Sequence, residues 1–127
     1  MICLLDTCTF IWLCAEPSRL SDRARAAIDD AARLLLSDAS VLEITLKWQA
    51  GKLVLPDPPR RWIEAQLSAW SLESRAIGRQ DIYRAGELPG HHRDPFDRLL
   101  VAAALNTDAT LVTPDVAVRR YPVSTTW

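Results

Sequence analysis

Short, continuously apolar runs alternate with amphipathic stretches along this chain. Ile2-Cys3-Leu4-Leu5, Leu34-Leu35-Leu36 and Thr110-Leu111-Val112-Thr113 are the runs. They are too short for buried helices and predict buried strands over 2–5, 33–37 and 110–113. Helical spacing is predicted over 7–15, 21–32, 40–50, 59–70, 79–88 and 94–106. In the fourth of these, Trp62, Ile63, Gln66, Leu67 and Trp70 form one stripe. The last is apolar on nearly every side, with Leu99, Leu100 and Ala103, and is expected to be central. Residues 53–55 and 72–77 suggest short extended pieces, and 122–126 a final strand after a short turn.

Local signals set the helix ends. Ser21 is a suitable N-cap for the second helix. Ser40 lies three residues before Glu43, the spacing of a capping box that would start the third helix at Ser40 and put Glu43 in its first turn. Gly51 fits the position just past that helix. Asp94 can cap the sixth helix, with Pro95 at its first position. This βα alternation predicts an α/β fold, a three-layer α/β/α sandwich around a mostly parallel sheet.

Bulk properties narrow the function. A length of 127 residues suggests one domain over 1–127, and 49% hydrophobic content suits a globular core. No apolar run approaches the roughly 20 residues of a membrane span. The start, Met-Ile-Cys-Leu-Leu-Asp, reads as a core strand and not a signal peptide. A cytoplasmic protein with no membrane partner is expected. Cys3, Cys8 and Cys14 are odd in number and lack Cys-x-x-Cys spacing, so they read as buried thiols, not as disulfides or a zinc site. The formal net charge of −1 lacks the basic excess of many nucleic-acid binders. Arginines are nonetheless grouped at Arg60-Arg61, Arg93, Arg98 and Arg119-Arg120, which suits a basic rim around an acidic pocket.

Four acidic residues stand where a parallel sheet would gather them: Asp6, Glu43, Asp97 and Asp115. In open α/β sheets, ligand sites form beyond the carboxyl ends of the strands. Carboxylates gathered there raise one another's pKa, and a divalent cation reverses that effect. Mg²⁺ or Mn²⁺ is the expected cofactor, and phosphodiester chemistry the expected reaction. Asp6 and Asp115 suit direct ligation, with Glu43 and Asp97 completing the shell or holding a second ion. Each acid also has a purely structural reading as a cap or turn residue. Asp6 resists that reading best, since an aspartate closing an apolar strand has no evident folding benefit. Thr113 and Ser40 are candidate supporting hydroxyls, and Asp94, Arg98, His91 and His92 candidate supporting groups. Gly-rich phosphate loops, serine-hydrolase elbows and zinc-protease motifs are absent from the sequence.

These residues together resemble the PIN-domain family, in particular the VapC-type toxins of bacterial toxin–antitoxin pairs. The matching stretches are Leu-Leu-Asp-Thr, Ser40-x-x-Glu43-Ile44 with Lys47 and Gly51-Lys52-Leu53, and His92-Arg93-Asp94-Pro95-Phe96-Asp97-Arg98-Leu99-Leu100. Leu111-Val112-Thr113-Pro114-Asp115 and Tyr121-Pro122-Val123 follow in order. The resemblance implies Mg²⁺- or Mn²⁺-dependent endoribonuclease activity resting on Asp6, Glu43, Asp97 and Asp115, with Thr113 as the small hydroxyl residue. It also implies a homodimer and silencing by a cognate antitoxin. Single-stranded or loop RNA, such as a tRNA or rRNA loop, is the expected substrate. One departure is Leu42, where similar sequences often carry tryptophan. Two other readings compete. A receiver domain would need adjacent acids after the first strand and a late lysine, yet no lysine follows Lys52. A non-catalytic PIN-fold binding module would keep the acids as caps.

Overall fold

The first strand, β1 (Ile2–Leu5), lies at the centre of the sheet in the computed structural model, which describes residues 1–90 and 94–127. The next strand, β2 (Arg33–Ser37), pairs with one side of it, and β4 (Thr110–Val112) with the other. β3 (Glu73–Arg75) lies outside β2, and β5 (Thr125–Thr126) outside β4. The order is β3-β2-β1-β4-β5, and every pairing is parallel. All strands therefore end at the same edge.

Alternate residues of the strands enter two separate cores. Cys3, Leu5, Leu34, Leu36 and Val112 face one; Leu4, Leu35 and Leu111 face the other. This two-sided burial is why the strand sequences are continuously apolar. Phe10 and Leu13 of α1 (Thr7–Ala15), Ile28 of α2 (Asp22–Asp30), and Trp62 and Ile63 of α4 (Pro59–Ala69) fill the first core. Leu100, Val101, Ala103 and Ala104 of α6 (Pro95–Thr107) fill the second. The sixth helix is central, as its composition predicts, and α5 (Arg79–Glu87) packs against it. The third helix, α3 (Asp38–Gln49), sends Ala39 to one core and Ile44 to the other. The architecture is the expected α/β/α sandwich, with a sheet that is parallel throughout.

Three local expectations fail. Helix α3 starts at Asp38, and its cap is Ser37, whose Oγ accepts from Ala39 N at 3.0 Å. The strand ends three residues before the predicted helix start, so the earlier serine takes the cap. Ser40 is then a buried helical residue, and Glu43 lies in the second turn. No strand forms over 53–55: Leu53 and Leu55 pack on the core while Val54 is 92% exposed. The edge strand β3 is shorter than 72–77. Gly51 behaves as expected, with φ +74° just past the helix, a conformation that suits glycine. Among the described residues, no helix is long and apolar enough to cross a membrane.

Candidate active site

Asp6 directly follows β1, and its N–H donates to Val112 O of the neighbouring strand at 3.2 Å. The carboxylate is 6% exposed and caps α1, with Oδ1 accepting from Thr9 N at 2.8 Å. Asp6 thus has the folding role that sequence reasoning did not find. The Cys8 thiol also donates to Oδ1, at 3.3 Å. Two hydroxyls fasten this corner. Thr7 Oγ1 donates to Ser40 Oγ at 2.9 Å, tying α1 to α3, and Thr9 Oγ1 donates to Val112 O at 2.9 Å, tying α1 to β4.

Glu43 projects from α3 and is 7% exposed. Its Oε2 accepts from Lys47 Nζ one turn later at 2.6 Å, a short charge-assisted bond. The ammonium is held above its ordinary pKa by this hydrogen bond first, against a desolvation cost, and then by the charges of Glu43, Asp94 and Asp97. Asp94 Oδ1 caps α6, accepting from Phe96 N at 2.9 Å and Asp97 N at 3.4 Å, as predicted. Asp97 in that first turn reaches a second neighbour. Burial, then the charge and hydrogen bond of Asp6, and finally the charge of Asp97 push the Cys8 thiol far above its usual range. Lys47 and Cys8 therefore mark one region facing Asp6, Glu43, Asp94 and Asp97, which three different segments supply.

Asp115 stands at the same sheet edge, three residues past the end of β4. Its N–H donates to Thr113 Oγ1 at 3.1 Å, and its Oδ1 accepts from Ala117 N at 2.9 Å. Thr113 is 0% exposed, so its hydroxyl shapes this turn and does not face a cleft. Ser40 is equally buried and meets Thr7, not a substrate. Arg98 points elsewhere. Its guanidinium donates to Ala85 O at 2.7 Å, Pro89 O at 2.9 Å and Leu88 O at 3.0 Å, at the end of α5, and to Tyr121 Oη at 3.2 Å. Ser40 and Arg98 each have structural partners here. His91, His92 and Arg93 lie outside the described residues.

The donor set suits a hard divalent cation: carboxylate oxygens, partly buried, converging from separate elements. Among the described residues, no three acidic, thiol or imidazole groups already stand close enough together to hold one. Asp6, Glu43, Asp94 and Asp97 border one region without closing on it. Sequence reasoning missed Lys47 as a site residue, although its spacing four residues after Glu43 signals a helical ion pair. Thr7, Thr9 and Cys8 were also missed, because short hydroxyls and thiols in a helix carry no spacing signal. A groove of about 490 Å³ lies apart from these acids, between α3 and α4, lined by Val41, Thr45, Trp48, Ile63 and Leu67.

Comparison with known proteins agrees with this fold. A family model described as PIN domain matches residues 3–123. Ribonuclease VapC22 of Mycobacterium tuberculosis is 32% identical over 119 residues, 93% of this chain and 90% of that protein. The fold is shared with a chain of VapBC2 from Rickettsia felis bound to a promoter DNA fragment. The TM-score is 0.72 at 18% identity, over 99% of this chain and 98% of that one. DNA-bound VapBC from Salmonella typhimurium gives a TM-score of 0.73 at 18% identity, over 99% and 97%. With a family model spanning most of its length and a VapC relative aligned over nearly all of it, this chain belongs to the PIN-domain family, on its VapC-type branch.

Proposed function

We propose that this protein is a Mg²⁺- or Mn²⁺-dependent endoribonuclease that acts as the toxin of a toxin–antitoxin pair. One observation carries the reading: Glu43 is 7% exposed in the second turn of α3, where it serves as no helix cap. Caps account for Asp6 and Asp94. They do not account for a nearly buried glutamate in the second turn of α3. The binding-module reading, in which the acids are only caps, has no place for it. The 32% identity to a protein named as a ribonuclease supports the same reading.

In the reaction, a water oxygen joins phosphorus as the bond to the leaving ribose oxygen breaks. A bound Mg²⁺ or Mn²⁺ would supply positive charge to the phosphoryl oxygen and lower the pKa of that water. Asp6 and Asp115 would hold the ion, and Asp97 and Glu43 would complete the acidic shell. Asp94 fixes the turn that carries Asp97, and Thr113 fixes the turn that carries Asp115. The hydroxyl ties of Thr7 and Thr9 hold the strand ends in register, so the acids keep their spacing when substrate arrives. Arg60, Arg61, Arg119 and Arg120 are exposed and would face RNA phosphates. A tRNA or rRNA loop is the proposed substrate, because unstacked bases can be splayed into a site. A cognate antitoxin is the proposed partner, in keeping with relatives solved as VapBC complexes. A homodimer is the proposed assembly.

The test is cleavage of a total tRNA and rRNA pool by purified, antitoxin-free protein, with Mn²⁺ or with EDTA. Discrete fragments are expected with Mn²⁺ and none with EDTA or in Asp6→Asn. Fragments that persist in EDTA, or that a folded Asp6→Asn still produces at full rate, would overturn the assignment.

A further inference from the structure

A threonine inside a helix often turns its hydroxyl back to the carbonyl four residues earlier. Thr45 and Thr107 do this, donating to Val41 O at 2.7 Å and to Ala103 O at 2.6 Å. Thr9 does not. It is 0% exposed, yet its Oγ1 leaves α1 and donates to Val112 O, 103 residues away in sequence, at 2.9 Å. That carbonyl already accepts from Asp6 N at 3.2 Å, so it needs no second donor to be satisfied. Thr9 donates a second time, through its N–H, to Asp6 Oδ1 at 2.8 Å. One residue therefore grips both the Asp6 carboxylate and the last residue of β4. The same strand end leads into the turn of Asp115, whose N–H donates to Thr113 Oγ1.

We propose that Thr9 is a positioning residue for Asp6: its hydroxyl anchors the first turn of α1 to β4, its N–H holds Oδ1, and Oδ2 is the carboxylate oxygen left to act in catalysis. This rests on the nuclease reading above. Oδ1 also accepts from the Cys8 thiol at 3.3 Å, whereas no described residue donates to Oδ2. Helix ends fray, and a cap bond alone lets the carboxylate move with the first turn. Anchored to a buried strand, that turn cannot shift without breaking the Oγ1 bond as well. Asp6 is thereby fixed relative to β4 and not only to its own helix. Misplacing a reacting group by 1 Å can cost about a hundredfold in rate, so such an anchor matters more to catalysis than to folding. Thr7 serves a different junction, since its hydroxyl meets Ser40 of α3.

The experiment compares the wild type with Thr9→Val, which keeps the shape and removes the hydroxyl, and with Thr9→Ser, which restores it. Apparent kcat and KM are measured on the tRNA and rRNA pool with Mn²⁺, and thermal melts confirm folding. Thr9→Val is expected to lower kcat by about ten- to a hundredfold and to leave KM within about twofold, the split of an interaction felt in the transition state. Thr9→Ser should return most of the lost kcat. Mn²⁺ affinity, read as free Mn²⁺ by electron paramagnetic resonance, should fall in Thr9→Val and recover in Thr9→Ser. Ile28→Val, a core change on α2, controls for lost stability and should keep the wild-type kcat. If Thr9→Val does not fold, Thr9→Ala removes the same hydroxyl and is judged by the same outcomes. A wild-type kcat or an unchanged Mn²⁺ affinity in Thr9→Val would make Thr9 a packing residue and overturn the inference. So would a loss that Thr9→Ser does not rescue or that Ile28→Val shares. If the wild type neither cleaves RNA nor binds Mn²⁺, the nuclease reading itself fails, and the inference with it.

Discussion

Asp6 performs two jobs that a single substitution can separate. One oxygen caps α1 through Thr9 N, and the residue's charge faces the acidic region. Asparagine caps helices about as well as aspartate but carries no charge. Asp6→Asn should therefore keep stability within about 0.5 kcal/mol of the wild type while cleavage falls by two orders of magnitude or more. Asp6→Ala loses the cap as well and should cost about 1 kcal/mol in addition. Urea melts beside cleavage assays give both numbers. Equal stability of the two variants would show that the cap bond contributes nothing. That the sequence hid this dual role is physically reasonable. The cap is set by the extended backbone at Asp6, with ψ 171°, and nothing in Leu-Leu-Asp-Thr announces that a helix begins at the very next residue.

Helices and strands were legible where a period or an apolar run spans several residues, and illegible where one residue decides a boundary. The start of α3 turned on which of Ser37 and Ser40 meets a free N–H, a choice made by where β2 ends. Leu53-Val54-Leu55 looks like a strand because its outer residues are apolar and half-buried, yet it joins no sheet among the described residues. Arg98 has a structural role that the sequence did not announce. A conspicuous arginine beside acidic residues suggests phosphate binding, but here it closes the end of α5 by donating to three carbonyls. Orphan carbonyls at a helix end need such donors. Arg98→Met should accordingly lower stability by about 2 kcal/mol, the scale of hydrogen bonds to a charged group. It should leave the salt dependence of RNA binding unchanged, because no phosphate contact is lost. A shallower salt slope at unchanged stability would restore Arg98 to the substrate. The two readouts together assign this residue to the junction of α5 and α6 or to the RNA.

At the scale of the whole molecule, the candidate site was proposed from sequence because topology does the gathering. Parallel strands with helical crossovers must all end at one edge, so acids after β1 and β4 and at the starts of the following helices meet without any sequence proximity. Topology could not reveal that one of those acids arrives with its own cation, since that depends on side-chain direction within α3. A metal held between these elements would also tie them together, with a consequence for global stability. Asp6, Asp97 and Asp115 lie on segments distant in sequence, so an ion bridging them exists only in the folded state. Such binding raises stability by RT ln(1 + [L]/Kd), about 2.7 kcal/mol when Mn²⁺ is at a hundred times its Kd. For a chain of this length that corresponds to a rise of roughly 8 °C in Tm. Thermal melts with Mn²⁺, against EDTA, should reveal it in the wild type and in Arg98→Met alike, because Arg98 is not a ligand. Asp6→Asn and Asp97→Asn should respond weakly or not at all. A wild-type Tm that stays fixed while Mn²⁺ is raised to millimolar levels would mean that the acids converge without binding an ion. The same rise in Asp6→Asn and Asp97→Asn as in the wild type would place the ion elsewhere on the protein.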